Sequence, residues 1–326
     1  MKIRFCLFAL IASICAFSAS AQDDNQPKGK AIIQVFTNFH SGFGNDRNDL
    51  GFALDRSYLG YQYDLGKGLS IKAVMDIGQS SDVNDYHRIV YIKNAQVTWK
   101  TGNLTLDGGL ISNAQFRTQE KHWGYRYIMK SFQDQYKFGS SADLGISATY
   151  KFAPWFAADA IIVNGEGYKK IQKLDGLQYG LGLTFTPVKG LTLRLYSSLN
   201  QSAVADTKDT YNYAAFAGYA NKHFSLGAEC NLQQNTANVA NHDLYGYSVY
   251  GSVTVSKMVN IFARYDLLQS RHDWNLGKDE SAVIAGAQVK LGRYVKVAPN
   301  FRMSIPAVNP CDGNHYSAYI SCFFGL

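Results

Sequence analysis

A transmembrane antiparallel β-barrel of about sixteen strands is the fold class this 326-residue sequence predicts. Three observations predict it. Apolar side chains alternate with polar or small ones over stretches of about ten residues, the period of a strand with one apolar and one wet face. Short and long breaks between these stretches take turns along the chain. No stretch after the first 21 residues reaches the run of about 18 apolar residues that a membrane-spanning helix requires.

Composition agrees. The chain is 46% hydrophobic, 14% aromatic and 17% charged, with 22 Tyr, 19 Phe, 29 Gly and only 6 Pro. That apolar load argues against global disorder. The charged share falls below the quarter or so usual in soluble domains.

The first element is a targeting segment. Lys2 and Arg4 precede an apolar run from Phe5 to Phe17, and Ala19-Ser20-Ala21 reads as a cleavage site. A lipoprotein signal that keeps Cys15 is the alternative, but Ile14 stands where a small residue is wanted. The expected organisation is a signal peptide at 1–21, a short N-terminal periplasmic segment at 22–30 and the barrel at 31–326. Removing Lys2 and Arg4 from 32 basic residues leaves 30 against 25 acidic, or +5. No basic run is long enough for nucleic acid. Cys230, Cys311 and Cys322 are too scattered for a disulfide framework or a zinc site, so no disulfide, metal or cofactor is expected.

The strands follow in order. Leu69, Ile71, Ala73, Met75 and Ile77 alternate with Ser70, Lys72, Val74 and Asp76. The same period runs through 177–186, 224–233 and 295–304. Tight turns are expected at 66–68, 101–103, 153–154, 188–190, 221–222, 257–258 and 292–294. Long polar loops are expected at 41–50, 79–87, 112–140, 165–175, 201–210, 234–242, 270–280 and 306–315. Seven short and eight long connections separate sixteen strands and put both termini on the short-turn side. Tyr61, Tyr63, Trp99, Tyr150, Phe152, Phe156, Phe185 and Phe224 sit near the turns, as an interfacial girdle requires. A soluble periplasmic β-sandwich also alternates, but it needs no such regular exchange of short and long breaks. Closure follows from the solvent, because hydrocarbon offers no partners to an open sheet edge.

Three pieces together carry a resemblance. They are Ala31-Ile32-Ile33-Gln34-Val35-Phe36; then Phe52 to Tyr61 with a strand ending Met75-Asp76-Ile77-Gly78; then Ile92 to Val97 followed by Leu104 to Leu110. This N-terminal third resembles the phosphate-selective porin O/P family of outer-membrane porins. The resemblance implies a 16-stranded, general or anion-preferring channel, assembled as a homotrimer. That family often has Arg-Asp-Ala where this chain has Lys93-Asn94-Ala95, and no arginine ladder is found here. It therefore implies a porin-like channel and not a phosphate channel.

With the apolar face on lipid, Arg56, Lys72, Lys151, Arg194, Arg264, Lys290, Lys296 and Arg302 face the bore. So do Asp64, Asp76, Asp107, Asp143, Asp159, Glu229 and Asp266, although both faces of the Asp159 strand are apolar. Inner charges stay solvated in a barrel this wide and act on passing ions. The bland reading is that they pair with one another and brace the wall. Loop 112–140 is the longest, with Arg117, Lys121, Arg126, Lys130 and Lys137 against Glu120 and Asp134, a net +3. It also carries Phe116, Trp123, Tyr125, Tyr127, Phe132 and Tyr136, which an ordered loop would have to bury. Folding inward would place Arg117, Lys121, Arg126 and Lys130 at a constriction.

Enzyme signals are weak. Gly60 and Gly66-Lys67 are misspaced for a phosphate loop, and neither a nucleophile-elbow nor a zinc-protease motif occurs. His223 and Ser225 read as turn polarity, and Asn45, Asp46, Asn48 and Asp49 as turn chemistry before calcium. No enzyme is expected. The expected function is passive diffusion of small hydrophilic solutes across the outer membrane, with a mild anion preference and lipid as the surrounding partner. The alternative is a plugged barrel that binds or adheres through its outer loops.

Overall fold

The computed structural model describes residues 28–326 except 47, 80–86, 173–174 and 309–312. The expected signal peptide, residues 22–27 and Cys311 lie outside the described residues. Sixteen strands form one closed antiparallel barrel, each paired with its sequence neighbours and β1 with β16. They are β1 (Lys28–Phe43), β2 (Leu50–Gly66), β3 (Leu69–Gln79), β4 (Arg88–Thr101), β5 (Leu104–Ser112), β6 (Ala142–Ala153), β7 (Phe156–Val163) and β8 (Gln178–Phe185). Then come β9 (Leu191–Asn200), β10 (Thr210–Ala220), β11 (Phe224–Gln234), β12 (Leu244–Thr254), β13 (Val259–Ser270), β14 (Glu280–Leu291), β15 (Val295–Pro306) and β16 (His315–Gly325). β1 starts three residues before the expected Ala31, because its ladder with β2 continues to the pair Lys28–Asp64.

The facing follows the sequence period. Ile71, Leu181, Leu226, Val249 and Ile261 point outward and are 47–58% exposed, while intervening positions such as Val74, Tyr250 and Phe262 are buried inside the barrel. Aromatic rings meet at the short-turn rim, with Phe156 at 5.3 Å from Phe152 and 4.8 Å from Phe185.

Two bulges break the period where charge is concentrated. Between Phe36 and Thr37 the β2 partner jumps from Arg56 to Leu54, so Asp55 is the extra residue. Between Val74 and Met75 the β4 partner jumps from Asn94 to Ile92, so Lys93 is extra. A bulged residue lets two successive side chains share one face. Asp55 bonds Asn38, and Lys93 bonds Tyr58, both on the inner face.

The wall is uneven. β1 and β2 have 16 and 17 residues, whereas β5, β7 and β8 have 9, 8 and 8. At that low rim two loops enter the barrel: residues 113–141 (L3) and, among the described residues, 164–172 and 175–177 (L4). L3 contains two short helices, α1 (Arg117–Trp123) and α2 (Phe132–Gln135). The barrel's hydrophobic core is largely built by L3 against the inner wall. Trp123, Tyr125, Tyr127 and Ile128 pack with Phe36, Phe216, Tyr250, Phe262 and Ile284. Phe132 and Phe138 pack with Leu244 and Leu268.

Candidate functional site

L3 is seated by shape and by hydrogen bonds. Its rings need room on a wall already crowded with side chains, and glycines provide it. Gly218 and Gly227 are cross-strand partners on β10 and β11. A Cβ at either position would lie 2.7 Å or 3.1 Å from the His122 ring. His122 Nε2 bonds the Leu226 carbonyl at 2.6 Å and the Ser225 hydroxyl at 3.1 Å. Burial lowers the His122 pKa, although its bonds to backbone carbonyls oppose that shift. Gly246 makes the corresponding space for Phe132, whose ring would lie 2.2 Å from an added Cβ.

Three of the arginines expected on the bore grip this loop. Arg194 donates to the Ala114 carbonyl at 2.9 Å, Arg264 to the Lys130 carbonyl at 2.6 Å and Arg302 to the Ile128 carbonyl at 2.8 Å. Each is held by a wall neighbour. Asp159 takes Arg194 at 2.6 and 2.9 Å, and Asp266 takes Arg264 at 2.6 and 2.8 Å. Arg302 bonds Asn300 at 3.0 Å and lies 3.7 Å above the Tyr319 ring. Arg194 and Arg264 are each only 3% exposed. The expectation that they stay solvated and act on passing ions therefore does not describe them: they lie between wall and loop, inside a low-dielectric contact. Asp159, ambiguous in sequence, points inward as the Arg194 partner.

The other side of L3 carries its charge toward β2, β3 and β4. Arg126 bonds the Tyr58 hydroxyl at 3.0 Å and pairs with Asp134 at 2.6 Å and Glu120 at 3.1 Å. Its charge is therefore compensated within the loop. Burial alone would raise the Asp134 pKa; the Arg126 and Lys130 cations overcome it and hold the carboxyl below its usual range. Lys130 lies 3.9 Å from Asp134. Arg117 and Lys121 are exposed, one turn apart on α1, and Arg117 interacts electrostatically with Lys72 on β3.

The wall opposite is basic too. Lys93 Nζ lies 3.0 Å from the Tyr58 hydroxyl and 4.3 Å above its ring. Arg56 lies 3.4 Å from the same hydroxyl and pairs with Asp76 at 3.1 Å. Lys72 bonds the Ser112 hydroxyl at 3.3 Å. Three cationic donors thus converge on one phenol oxygen. Beside them a recess of about 370 Å³ is lined by Arg56, Arg126, Lys130 and Arg302, with Asp55 and Glu280. Lys93 was absent from the residues assigned to the bore by alternation. The signal that marks it is a pair of successive polar residues, Lys93-Asn94, in the middle of an apolar strand.

Asp46 accepts from His315 at 2.7 Å and from the Tyr316 backbone N–H at 2.9 Å, tying the first loop to β16.

No family model matches the chain, and no curated protein matches it. Solved structures share its fold. An anion-selective porin from Comamonas acidovorans aligns with a TM-score of 0.68 at 15% identity, over 92% of this chain and all of that one. OprB of Pseudomonas putida aligns at 0.70 and 11%, over 91% and 94%. The trimer form of OmpT, an outer-membrane protein of Vibrio cholerae, aligns at 0.61 and 14%, over 93% and 100%. At these identities the likeness is one of fold: a sixteen-stranded barrel of porin shape.

Proposed function

We propose that this chain is an outer-membrane, porin-like channel for passive diffusion of small hydrophilic solutes, with a mild anion preference. The observation that carries the reading is the placement of L3. It lies inside a closed barrel, with its apolar side on the wall from β10 through β16 to Phe36 of β1 and its cations toward Arg56, Lys72 and Lys93. Positive groups around a narrow aqueous passage raise the local anion concentration, and low-dielectric walls strengthen the effect. The preference is mild because Arg126 and Arg56 are paired with carboxylates. The uncompensated part of the field comes from Lys72, Lys93, Arg117 and Lys121, while Lys130 is partly offset by Asp134 at 3.9 Å. Assembly as a homotrimer is part of the proposal, supported by the trimeric form of the OmpT neighbour.

Planar-bilayer recording of the purified chain tests it. Stepwise conductance is expected, with a reversal potential in a KCl gradient on the anion side. Replacing Lys93, Arg117 and Lys121 together with Gln should move that potential toward cations. A silent bilayer overturns the channel, and an unmoved potential overturns the role of these cations.

A further inference from the structure

L4 is built as firmly as L3, and its geometry points to a second function. The Asp143 carboxylate at the outer end of β6 accepts three backbone N–H groups: Leu144 at 2.7 Å, Gly165 at 2.8 Å and Gly167 at 3.1 Å. Gly165 and Gly167 have φ of 96° and 82°, a region that L-residues rarely adopt. A Cβ at either would also lie 2.5 Å from Asn200 or Ser140. The Tyr168 N–H then bonds the Ala142 carbonyl at 2.9 Å. This folded turn aims Tyr168 along the inner wall, past β5 to β4, β3 and β2. Its hydroxyl donates to Asp76 on β3 and lies 3.5 Å from Arg56 on β2. Its ring meets Tyr91 of β4 edge-on at 6.3 Å, with Lys93 Nζ 5.8 Å from the ring centre. Arg56 also reaches the Tyr58 hydroxyl at 3.4 Å, which takes Arg126 of L3 at 3.0 Å. The two loops are therefore linked through Arg56 and Tyr58.

We propose that Tyr168 is a second constriction element, tethered to Asp76, that sets the size limit of the passage, while the L3 cations set its charge preference. The inference rests on the channel reading. A tethered ring narrows the bore without adding charge, and its partner Asp76 remains neutralised by Arg56 at 3.1 Å whether or not the phenol is there. Pore width and pore charge are separate determinants of permeation.

The test uses the full chain in planar bilayers and in liposomes swelling in mono-, di- and trisaccharides. Tyr168→Ala should raise unit conductance and shift the swelling cut-off to larger sugars, with the potassium-to-chloride permeability ratio unchanged. Tyr168→Phe keeps the ring and loses the tether. It should keep the cut-off and add open-level noise, and it decides the question if the Ala variant fails to assemble. A conducting wild type with an Ala variant of identical conductance and cut-off overturns this inference alone, as does a Phe variant as quiet as wild type. A silent wild type overturns the channel reading and this inference with it.

Discussion

Arg264→Met should release L3 from the wall. The Arg264 guanidinium and the Asp266 carboxylate are each 1% exposed and joined by two hydrogen bonds, and Arg264 also holds the Lys130 carbonyl. Removing one member of a buried ion pair costs about 3–5 kcal/mol, because the remaining charge is left uncompensated. The penalty is relieved if L3 lifts and water reaches Asp266, so it falls on loop docking rather than on strand pairing. A loss of about 3 kcal/mol lowers the docked-to-lifted ratio on the order of a hundredfold. Trp123 lies 5.1 Å from the Arg264 guanidinium and reports docking through near-ultraviolet circular dichroism. Single-channel records should show new, fluctuating levels in place of one. Arg264→Met combined with Asp266→Leu removes both charges and should recover much of the docking, since an apolar pair of similar volume often equals a buried ion pair. A single variant with wild-type dichroism and quiet channels would refute the reasoning, and so would a double variant as loose as the single.

Three further outcomes are expected. Val249, mid-strand on β12 and 58% exposed, faces outward; Val249→Arg should impair assembly by about 2–4 kcal/mol, whereas Ile71→Arg, two residues from the strand start, should cost only about 0–1, as read from folding titrations into lipid. Equal penalties would mean the depth assignment is wrong. Gly246→Val should push Phe132 off the wall and lower the thermal midpoint by an overpacking penalty of about 1–3 kcal/mol, and an unchanged midpoint would remove the socket argument. Docked L3 binds fewer protons at His122 than lifted L3, because burial depresses the docked pKa. Stability is therefore lost as pH falls through the free-histidine value of about 6.5, and His122→Gln should flatten that dependence in the Trp123 dichroism.

The strands and turns were legible because the bilayer imposes a rule that acts residue by residue. Each lipid-facing position must be apolar, so Leu69 through Ile77 can be read without knowing what lies across the sheet. Alternation fails where the backbone adds a residue. Asp55 and Lys93 sit at bulges, and strict counting by twos turns them toward lipid. Arg194, Arg264 and Arg302 were legible as inward-facing but not as grips on L3. Their partners are carbonyls 80 residues away for Arg194, 134 for Arg264 and 174 for Arg302, and no local pattern encodes such a meeting. The aromatic load of L3 did carry a tertiary message, since Phe116, Trp123 and Phe132 have nowhere dry to go except into the barrel. Tyr168 carried none: a single tyrosine in a polar loop looks the same whether it reaches inward or out.

The arginine grips end on peptide carbonyls, and a carbonyl is present whatever side chain follows it. Mutation can therefore rewrite the exposed positions of α1 without unseating the loop. Exchanging Arg117 and Lys121 for carboxylates would leave every one of these anchors in place. The geometry of the passage is inherited through the backbone, and its chemical taste through a few free side chains. On the channel reading, descendants of this chain could drift from one charge preference to another while keeping the same barrel.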